Sequence, residues 1–547
     1  MFRPQITSGK FILLVSLFLA LANNQAFFSA LAGRLDLTTL QGAGYALTIY
    51  AVIIGIIALF LFIAGQKFLL KPLAIFLLLL AAVLSYFTQE LGVIFNVDMV
   101  RNTVETIKDN NQQEATELLS FPLIKHVFLY GVLPVLLVLW VKISYKTVFK
   151  EQLTRLGYVF GLLVIVASLI MLNFKYTTFF SRENRDLRVF ITPLYAIDSV
   201  KGYVRSERKK VKMPLQVVGQ DAVQMKPVKE RIIGVMVVGE TARADHFSLN
   251  GYQRETNPEL KKEAIINYPQ VSSCGTSTAF SVPCMFSFYD RSDYSPAKAA
   301  SQTNALDVLE KAGVEVVWLD NNSSCKGVCA RTGEINLRGN PDKSSPYYSD
   351  GEEFDEALIA KMDEQLKTIK TDKDVLFVLH TLGSHGPKYY KRYPDKFSKF
   401  EPACKKATPQ ECTDEEIINA YDNTILYTDH VLSQLISYLK KQKTATASFL
   451  LYASDHGESL GENGVYLHGL PYFLAPAAQT HVPMLAWFSP QYIKNENLDL
   501  SSMKSLENKD ISHDYLSHSL LSAFSVDTDI YKPGHDLLRN VQHARRN

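Results

Sequence analysis

A helical membrane domain of five transmembrane helices, followed by a water-soluble α/β domain with a mainly parallel central sheet, is the architecture this 547-residue sequence predicts. Three observations predict it. The chain has 57 basic and 55 acidic side chains, but only 21 of them fall in residues 1–175, too few for a soluble domain of that size. All six cysteines lie after residue 270. From residue 231 onward, short β-branched runs alternate with helical stretches. The net charge of +2 argues against a nucleic-acid binder driven by a basic surface. With 28 Gly and 22 Pro, collagenous and low-complexity classes are also excluded.

Charge-free apolar windows at 11–33, 37–66, 72–89, 126–141 and 156–174 give the five expected spans, since a bilayer core takes about 20 apolar residues. The fourth is short, and Lys125 and Lys142 can snorkel from its ends. Short loops on one side carry Arg3, Lys10, Lys67, Lys71, Lys142, Lys146, Lys150 and Arg155, against Arg34, Arg101, Lys108 and Lys125 on the other. That bias places the N-terminus in the cytoplasm and everything after Lys175 on the outer face. Arg3, Lys10, the apolar run and Ala20-Leu21-Ala22 also fit a cleavable signal peptide, which would leave four spans and the same destination. Expected boundaries are 1–175 for the membrane domain, 176–230 for an interfacial helix and linker, and 231–547 for the α/β domain. The cysteines form local pairs, Cys274/Cys284, Cys325/Cys329 and Cys404/Cys412, which suit disulfides in an oxidising compartment. A zinc site at Cys325-Lys-Gly-Val-Cys329 lacks a second thiol pair of matching spacing.

Strands are expected at 232–238, 314–319, 375–379, 449–453 and 482–488, with helices at 304–311, 356–369 and 415–439. In such sheets chemistry gathers at the carboxyl ends of the strands. Glu240 follows the first strand, His380 and His385 the third, Asp455 and His456 the fourth, and His468 comes a little later. A carboxylate directly after a buried strand is costly unless a cation meets it. Oxygen and nitrogen donors without thiolates suit zinc, with manganese second. The stretch Ser273-Cys274-Gly275-Thr276-Ser277-Thr278-Ala279-Phe280-Ser281-Val282-Pro283-Cys284 is dense in hydroxyls and leads into a helix start. A threonine there, beside zinc, would lose its proton near neutral pH. By composition an ordinary N-cap cluster reads the same.

Five motifs then meet a family. Gly239-Glu240-Thr241-Ala242-Arg243-Ala244-Asp245, Cys274-Gly-Thr-Ser-Thr278, Ser281-Val-Pro-Cys284-Met-Phe-Ser287, His385-Gly-Pro387 and Ser454-Asp455-His456-Gly457-Glu458 resemble the lipid A phosphoethanolamine transferases. That family includes the mobile colistin-resistance enzymes and belongs to the alkaline phosphatase/sulfatase-like superfamily. The resemblance implies a multi-pass protein of the bacterial inner membrane with a periplasmic catalytic domain of that fold. It implies catalytic zinc on Glu240, Thr278, Asp455 and His456, with Thr278 carrying the phosphoethanolamine. His385 and His468 would hold the phosphoryl group or a second zinc, with His380 beside them, any of the three serving as acid or base. Asn322, Lys326, Asn102, Thr106 and Glu114 match positions lining the donor headgroup. The implied donor is phosphatidylethanolamine and the acceptor is lipid A or lipopolysaccharide. The chain would act as a monomer, and its product would resist polymyxin. A sulfatase would need Cys or Ser followed by Pro and Arg in a C/S-x-P-x-R setting, whereas Cys284 is followed by Met285 and Phe286. Two readings stand beside this one: transfer of phosphoglycerol or phosphoethanolamine to another envelope glycan, and a non-catalytic periplasmic sensor.

The charge bias makes a topology prediction. A reporter active only outside the cytoplasm, fused after Asn547, should be active, and one inserted between Val141 and Lys150 should be silent. Activity confined to the second fusion would reverse the orientation.

Overall fold

The computed structural model describes residues 3–108, 118–174, 177, 180, 183–226, 230–339, 341–442 and 446–538. The chain divides into two compact units, Met1–Val97 with Leu119–Lys201, and Asp98–Leu118 with Gly202–Asn547. The segment Asp98–Leu118, which the sequence reading left in the membrane domain, therefore belongs to the second unit.

Among the described residues of the first unit, four helices are long and apolar enough to cross a membrane: Leu40–Ala64, Leu70–Glu90, Phe121–Trp140 and Val148–Leu172. The expected first span is a pair, Ser8–Ala22 and Gln25–Ala32, bent by 57°. Asn24 explains how the break is tolerated. Its Nδ2 donates to the carbonyls of Leu19 and Thr192, and its Oδ1 accepts from the Thr192 amide at 2.8 Å. Backbone groups freed inside an apolar bundle must find such partners. The Phe121–Trp140 span contains a π-turn at Phe128–Val132, just before Pro134. Proline removes a helical donor and crowds the carbonyl four residues back, so a local bulge there is expected. Arg155 is buried, pairs with Glu151 at 3.2 Å, and donates to the carbonyls of Phe62 and Gly65.

The second unit is built on an eight-stranded sheet. In chain order its strands are β1 Ile232–Gly239, β2 Ile265–Ser272, β3 Glu315–Asp320, β4 Glu334–Asn336, β5 Val375–His380, β6 Ala447–Ser454, β7 His481–Phe488 and β8 Ile511–Ser512. Their spatial order is β8-β2-β7-β6-β1-β5-β3-β4. Only β7 runs antiparallel to its neighbours β6 and β2, so the sheet is mixed, with parallel pairing dominant. All five expected strands form. The sequence reading lacked β2, β4 and β8; β2 alternates buried and exposed residues, and the other two are very short.

Alternation along β1 sends Ile232, Met236 and Val238 to one face and Ile233, Val235 and Val237 to the other. The first face packs on Ala305–Lys311 and Asp514–Ala523, the second on Glu356–Thr368 and Asp414–Lys440. Helices on both faces make the α/β sandwich. Asn304 and Thr413 begin two of these helices with capping boxes. The cysteines form the bonds Cys274–Cys284, Cys325–Cys329 and Cys404–Cys412.

Gly234 lets the first face close. A β-carbon there would lie 2.4 Å from the Phe449 ring and 2.8 Å from that of Phe524. Gly234→Val should destabilise the α/β unit by about 1–3 kcal/mol through overpacking. A lowered unfolding midpoint of the full-length protein in scanning calorimetry would report it; an unchanged midpoint would show that both rings can move aside.

Candidate active site and metal centre

Strands β1, β3, β5 and β6 are mutually parallel and adjacent, so their carboxyl ends form one edge. Register sets His380 opposite both Val238 and Asp320, and Ser454 opposite Gly239. Glu240, Asp320, His380, Asp455 and His456 therefore leave the sheet side by side.

Glu240, Asp455 and His456 each offer a ligand atom, all within 4.8 Å of one another. His456 Nε2 is 3.6 Å from Glu240 Oε1 and 3.4 Å from Asp455 Oδ2. Its Nδ1 contacts the Gly457 carbonyl at 2.9 Å, so that nitrogen carries the proton and Nε2 keeps a lone pair for a cation. Glu240 Oε1 and Asp455 Oδ2 are buried and have no hydrogen-bond partner. Burial, and then Asp455, push Glu240 well above its usual carboxylate range. Burial pushes Asp455 up to about 6. Burial and then His468 hold His456 well below the usual imidazole range. Two buried acids with orphaned oxygens and a neutral imidazole fit a divalent cation, and the oxygen–nitrogen donor set suits zinc. Cys325, Cys329 and Glu334 also cluster, but the two sulfurs are bonded to each other.

Thr278 opens the helix Thr278–Met285 after the extended Ser277. Its Oγ1 donates to Glu240 Oε2 at 3.1 Å and lies 3.4 Å from His456 Nε2. The hydroxyls around it point elsewhere. Thr276 donates to the Leu470 carbonyl, Ser273 to the Gly275 carbonyl, and Ser281 accepts from the Gly275 amide. Ser277 Oγ is buried and makes no hydrogen bond.

Around this centre stand the histidines. His380 Nδ1 is paired with Asp320 at 2.8 Å, while Nε2 is buried and has no hydrogen-bond partner. Burial alone would raise Asp320, yet His380 and the Trp318 indole hold it below its usual range. His468 Nδ1 meets Glu458 Oε2 at 2.8 Å, and Tyr389 donates to the other oxygen of Glu458. The His468 ring lies 4.3 Å from His456 and 5.9 Å from His385. Burial and then Arg392 hold His385 well below the usual range.

The five other expected positions separate. Asn322 joins the acids, donating from Nδ2 to Glu240 Oε2 at 2.7 Å and to the Thr381 carbonyl. Lys326 lines a cavity of about 170 Å³ beside Ala279 and Pro283, together with Arg101, Glu105, Glu207 and Lys210. Arg101 and Glu105 come from the helix Val97–Lys108, which also carries the half-buried Asn102 and Thr106. Neither of those two lines the cavity. Met99 of the same helix lies against Gly469, next to His468. Glu114 lies outside the described residues.

Several residues escaped the sequence reading. Asp320 carries the same signal as Glu240, an acid at the end of a buried strand. Asp355 carried no signal; it accepts from the amides of Leu382 and Gly383 and from Asn321. Gly383 needs this support, because its φ is +52° and a β-carbon would lie 2.7 Å from the Glu240 carbonyl. Arg243 binds Asp245, Glu462 and the Glu458 carbonyl. Tyr421 donates to the carbonyl of Thr241, whose φ is +52°.

Comparison with known proteins gives a consistent match. A family model described as "Phosphoethanolamine transferase EptA/EptB" matches residues 51–208, and one described as "Sulfatase" matches residues 233–526. The chain is 35% identical to phosphoethanolamine transferase EptA of Escherichia coli K12, covering 99% of this chain and 98% of that one. It is 36% identical to phosphatidylethanolamine transferase Mcr-1 of Escherichia coli, covering 97% of each. Among solved structures, lipooligosaccharide phosphoethanolamine transferase A of Neisseria meningitidis superposes with a TM-score of 0.92 at 35% identity, covering 98% of this chain and 99% of that one.

Asp455 gives the metal centre a pH signature. Without metal its folded-state value of about 6 exceeds the usual 3.8, so its contribution to stability falls as pH rises from about 4 to 6. Chelated protein should show this slope, and Asp455→Asn should remove that part of it. Restored zinc should reverse it, since the metal binds the deprotonated acid. An identical pH profile for chelated wild type and Asp455→Asn would show that folding does not raise the Asp455 carboxyl.

Proposed function

The chain belongs to the phosphoethanolamine transferase family, and on that premise we propose that it moves phosphoethanolamine from phosphatidylethanolamine to a phosphate of lipid A through a covalent intermediate on Thr278. The single observation that carries the reading is the position of Thr278 Oγ1, between a buried carboxylate and an imidazole, while its neighbours Thr276, Ser273 and Ser281 bond elsewhere.

Glu240, Asp455, His456 and the Thr278 oxygen would hold zinc, which when bound supplies positive charge that lowers the proton affinity of the hydroxyl. Glu240 Oε2 fixes the direction of the Thr278 hydroxyl, and Asn322 fixes Glu240 in turn. The threonine oxygen then attacks the phosphorus of the donor as its proton passes to one of His380, His385 and His468. The bond from phosphorus to diacylglycerol oxygen breaks, and one of His380, His385 and His468 gives that oxygen its proton. His385 and His468 would bind the phosphoryl oxygens or a second zinc. In the second half an oxygen of a lipid A phosphate attacks, and the bond to Thr278 breaks with return of a proton to its oxygen. The mixed-charge cavity beside Ala279 and Pro283 suits a zwitterionic headgroup, with Glu105 or Glu207 facing the ammonium and Lys326 the phosphate.

The reaction takes place at the periplasmic face of the inner membrane, where an anchored enzyme meets its lipid donor by lateral diffusion. Each transfer caps a phosphate with an amine and weakens attraction for polycationic peptides such as polymyxin.

Thr278→Ala should abolish transfer while the folded protein still retains zinc. Thr278→Ser keeps the oxygen but frees its rotamer, so weak activity should remain. Digestion of protein incubated with phosphatidylethanolamine should give the Cys274–Cys284 peptide modified on Thr278. Modification on Thr276 or Ser277, or robust transfer by the alanine variant, would refute the covalent route.

A further inference from the structure

The first unit contains a cavity lined by none of the residues assigned to transfer above. It encloses about 530 Å³ between Leu40–Ala64, the end of Val148–Leu172 and the segment that follows. That volume is within the range of ligand sites, about 300–1,000 Å³. Its walls are Tyr45, Ile49, Ile53 and Ile56 with Phe27 and Phe180. Tyr45, Ile53 and Phe27 are buried, so these side chains are held in place. Tyr45 meets the Phe180 ring edge-on at 5.3 Å. Near the helix ends, Asn173 Nδ2 donates to Thr48 Oγ1 at 3.0 Å and ties the two helices together. Such a cavity takes a flexible apolar chain.

Its polar end is of one sign. The 3₁₀ segment Arg185–Phe190 contributes Arg185 and Arg188 to the lining, and both side chains are exposed. Neither has an ion pair among the described residues. The acid between them in sequence, Asp186, is engaged by Arg34 through two hydrogen bonds, one of 2.8 Å, and is held below its usual range by that partner. Among the described residues no Asp or Glu lines the cavity. The ammonium of a zwitterionic lipid would find no carboxylate, whereas an anionic phosphodiester would find two guanidinium groups suited to it.

We propose that this cavity holds one acyl chain of an anionic phospholipid, a phosphatidylglycerol-like lipid, with Arg185 and Arg188 on its phosphate. The lipid is a resident ligand of the membrane unit, separate from the zwitterionic donor, and it braces Leu40–Ala64 against the Arg185–Phe190 segment. Basic side chains at a membrane surface are worth about 1 kcal/mol each toward anionic lipid. Two of them correspond to about thirty-fold in affinity.

The test is native mass spectrometry of the delipidated full-length protein in detergent, titrated separately with phosphatidylglycerol and phosphatidylethanolamine. Wild type should take up one phosphatidylglycerol, and the variant R185E/R188E should bind it about thirty-fold more weakly, with phosphatidylethanolamine uptake unchanged. Ile56→Trp, which fills the cavity from a lipid-facing position, should weaken phosphatidylglycerol uptake without touching the arginines. If the double variant fails to elute as a folded monodisperse species, R188Q takes its place with a smaller expected loss. Phosphatidylglycerol uptake unaffected by both arginine changes would overturn the proposal. Parallel loss of both lipids would overturn it too, by giving the cavity to the donor.

Discussion

Glu240 and Asp455 leave adjacent strands at the same edge, each with one oxygen that no protein donor reaches, in a place almost closed to water. An isolated charge so buried costs several kcal/mol, and two of like sign raise the cost of ionising either. The chain could lower that cost by protonating both acids or by supplying a lysine or arginine. It supplies instead a neutral histidine, proton on Nδ1 and lone pair turned inward. That combination leaves a hole for one cation of high charge density. The parallel strands serve to bring the three donors within reach of it, and the Thr278 hydroxyl enters the same space, donating to Glu240.

Precision in the ligands comes from what surrounds them. Each buried polar group of the inner set leans on another: Asn322 on Glu240, Asp320 on His380, Glu458 on His468, Tyr389 on Glu458. Metal and acid–base sites depend on such partners for ring orientation and tautomer. The loop after His380 is held by Asp355 because its backbone takes a conformation only glycine enters easily at Gly383. His385 in the same loop is kept from protonating by burial and Arg392, so as a neutral ring it can present a lone pair to a metal or its N–H to a phosphorus-bound oxygen.

The legible part of the molecule was the part where local pattern and final environment coincide. Central strands such as Ile232–Gly239 and Ala447–Ser454 are buried along their full length, so a continuous apolar run is enough to find them. β2 has one face half open, and its mixed composition, with Asn267, Pro269 and Gln270 among its residues, hid it. Glu240 and Asp455 are visible because a carboxylate after a buried strand is costly without a cation, and Asp320, next after the expected strand 314–319, obeys the same rule. Asp355 and Arg392 were invisible in principle. Their roles are hydrogen bonds to the backbone of the loop after His380, 27 residues from Asp355 and 7 from Arg392, and nothing in their own neighbourhoods marks that. The bend at Asn24 was missed for a related reason: hydropathy counts charges and apolar residues, but two consecutive asparagines can rewire a helix without altering either count much.

Burial also bears on why such a centre transfers a group instead of releasing it to water. Thr278 is 3% exposed, and Glu240, Asp455 and His456 are at or below 1%. A phosphoryl group carried on Thr278 would stand among neutral imidazoles and a cation, with little room for a water molecule placed opposite the threonine oxygen. On the proposed route, attack would then require an acceptor able to bring its own nucleophile into line, and a lipid phosphate would do so as an anion drawn to the positive charge of a bound cation. Trimming a buried side chain of the strand-end loops, such as Leu467, would loosen the packing that keeps water out. Selectivity between transfer and hydrolysis would in this sense be a packing property of the strand-end loops.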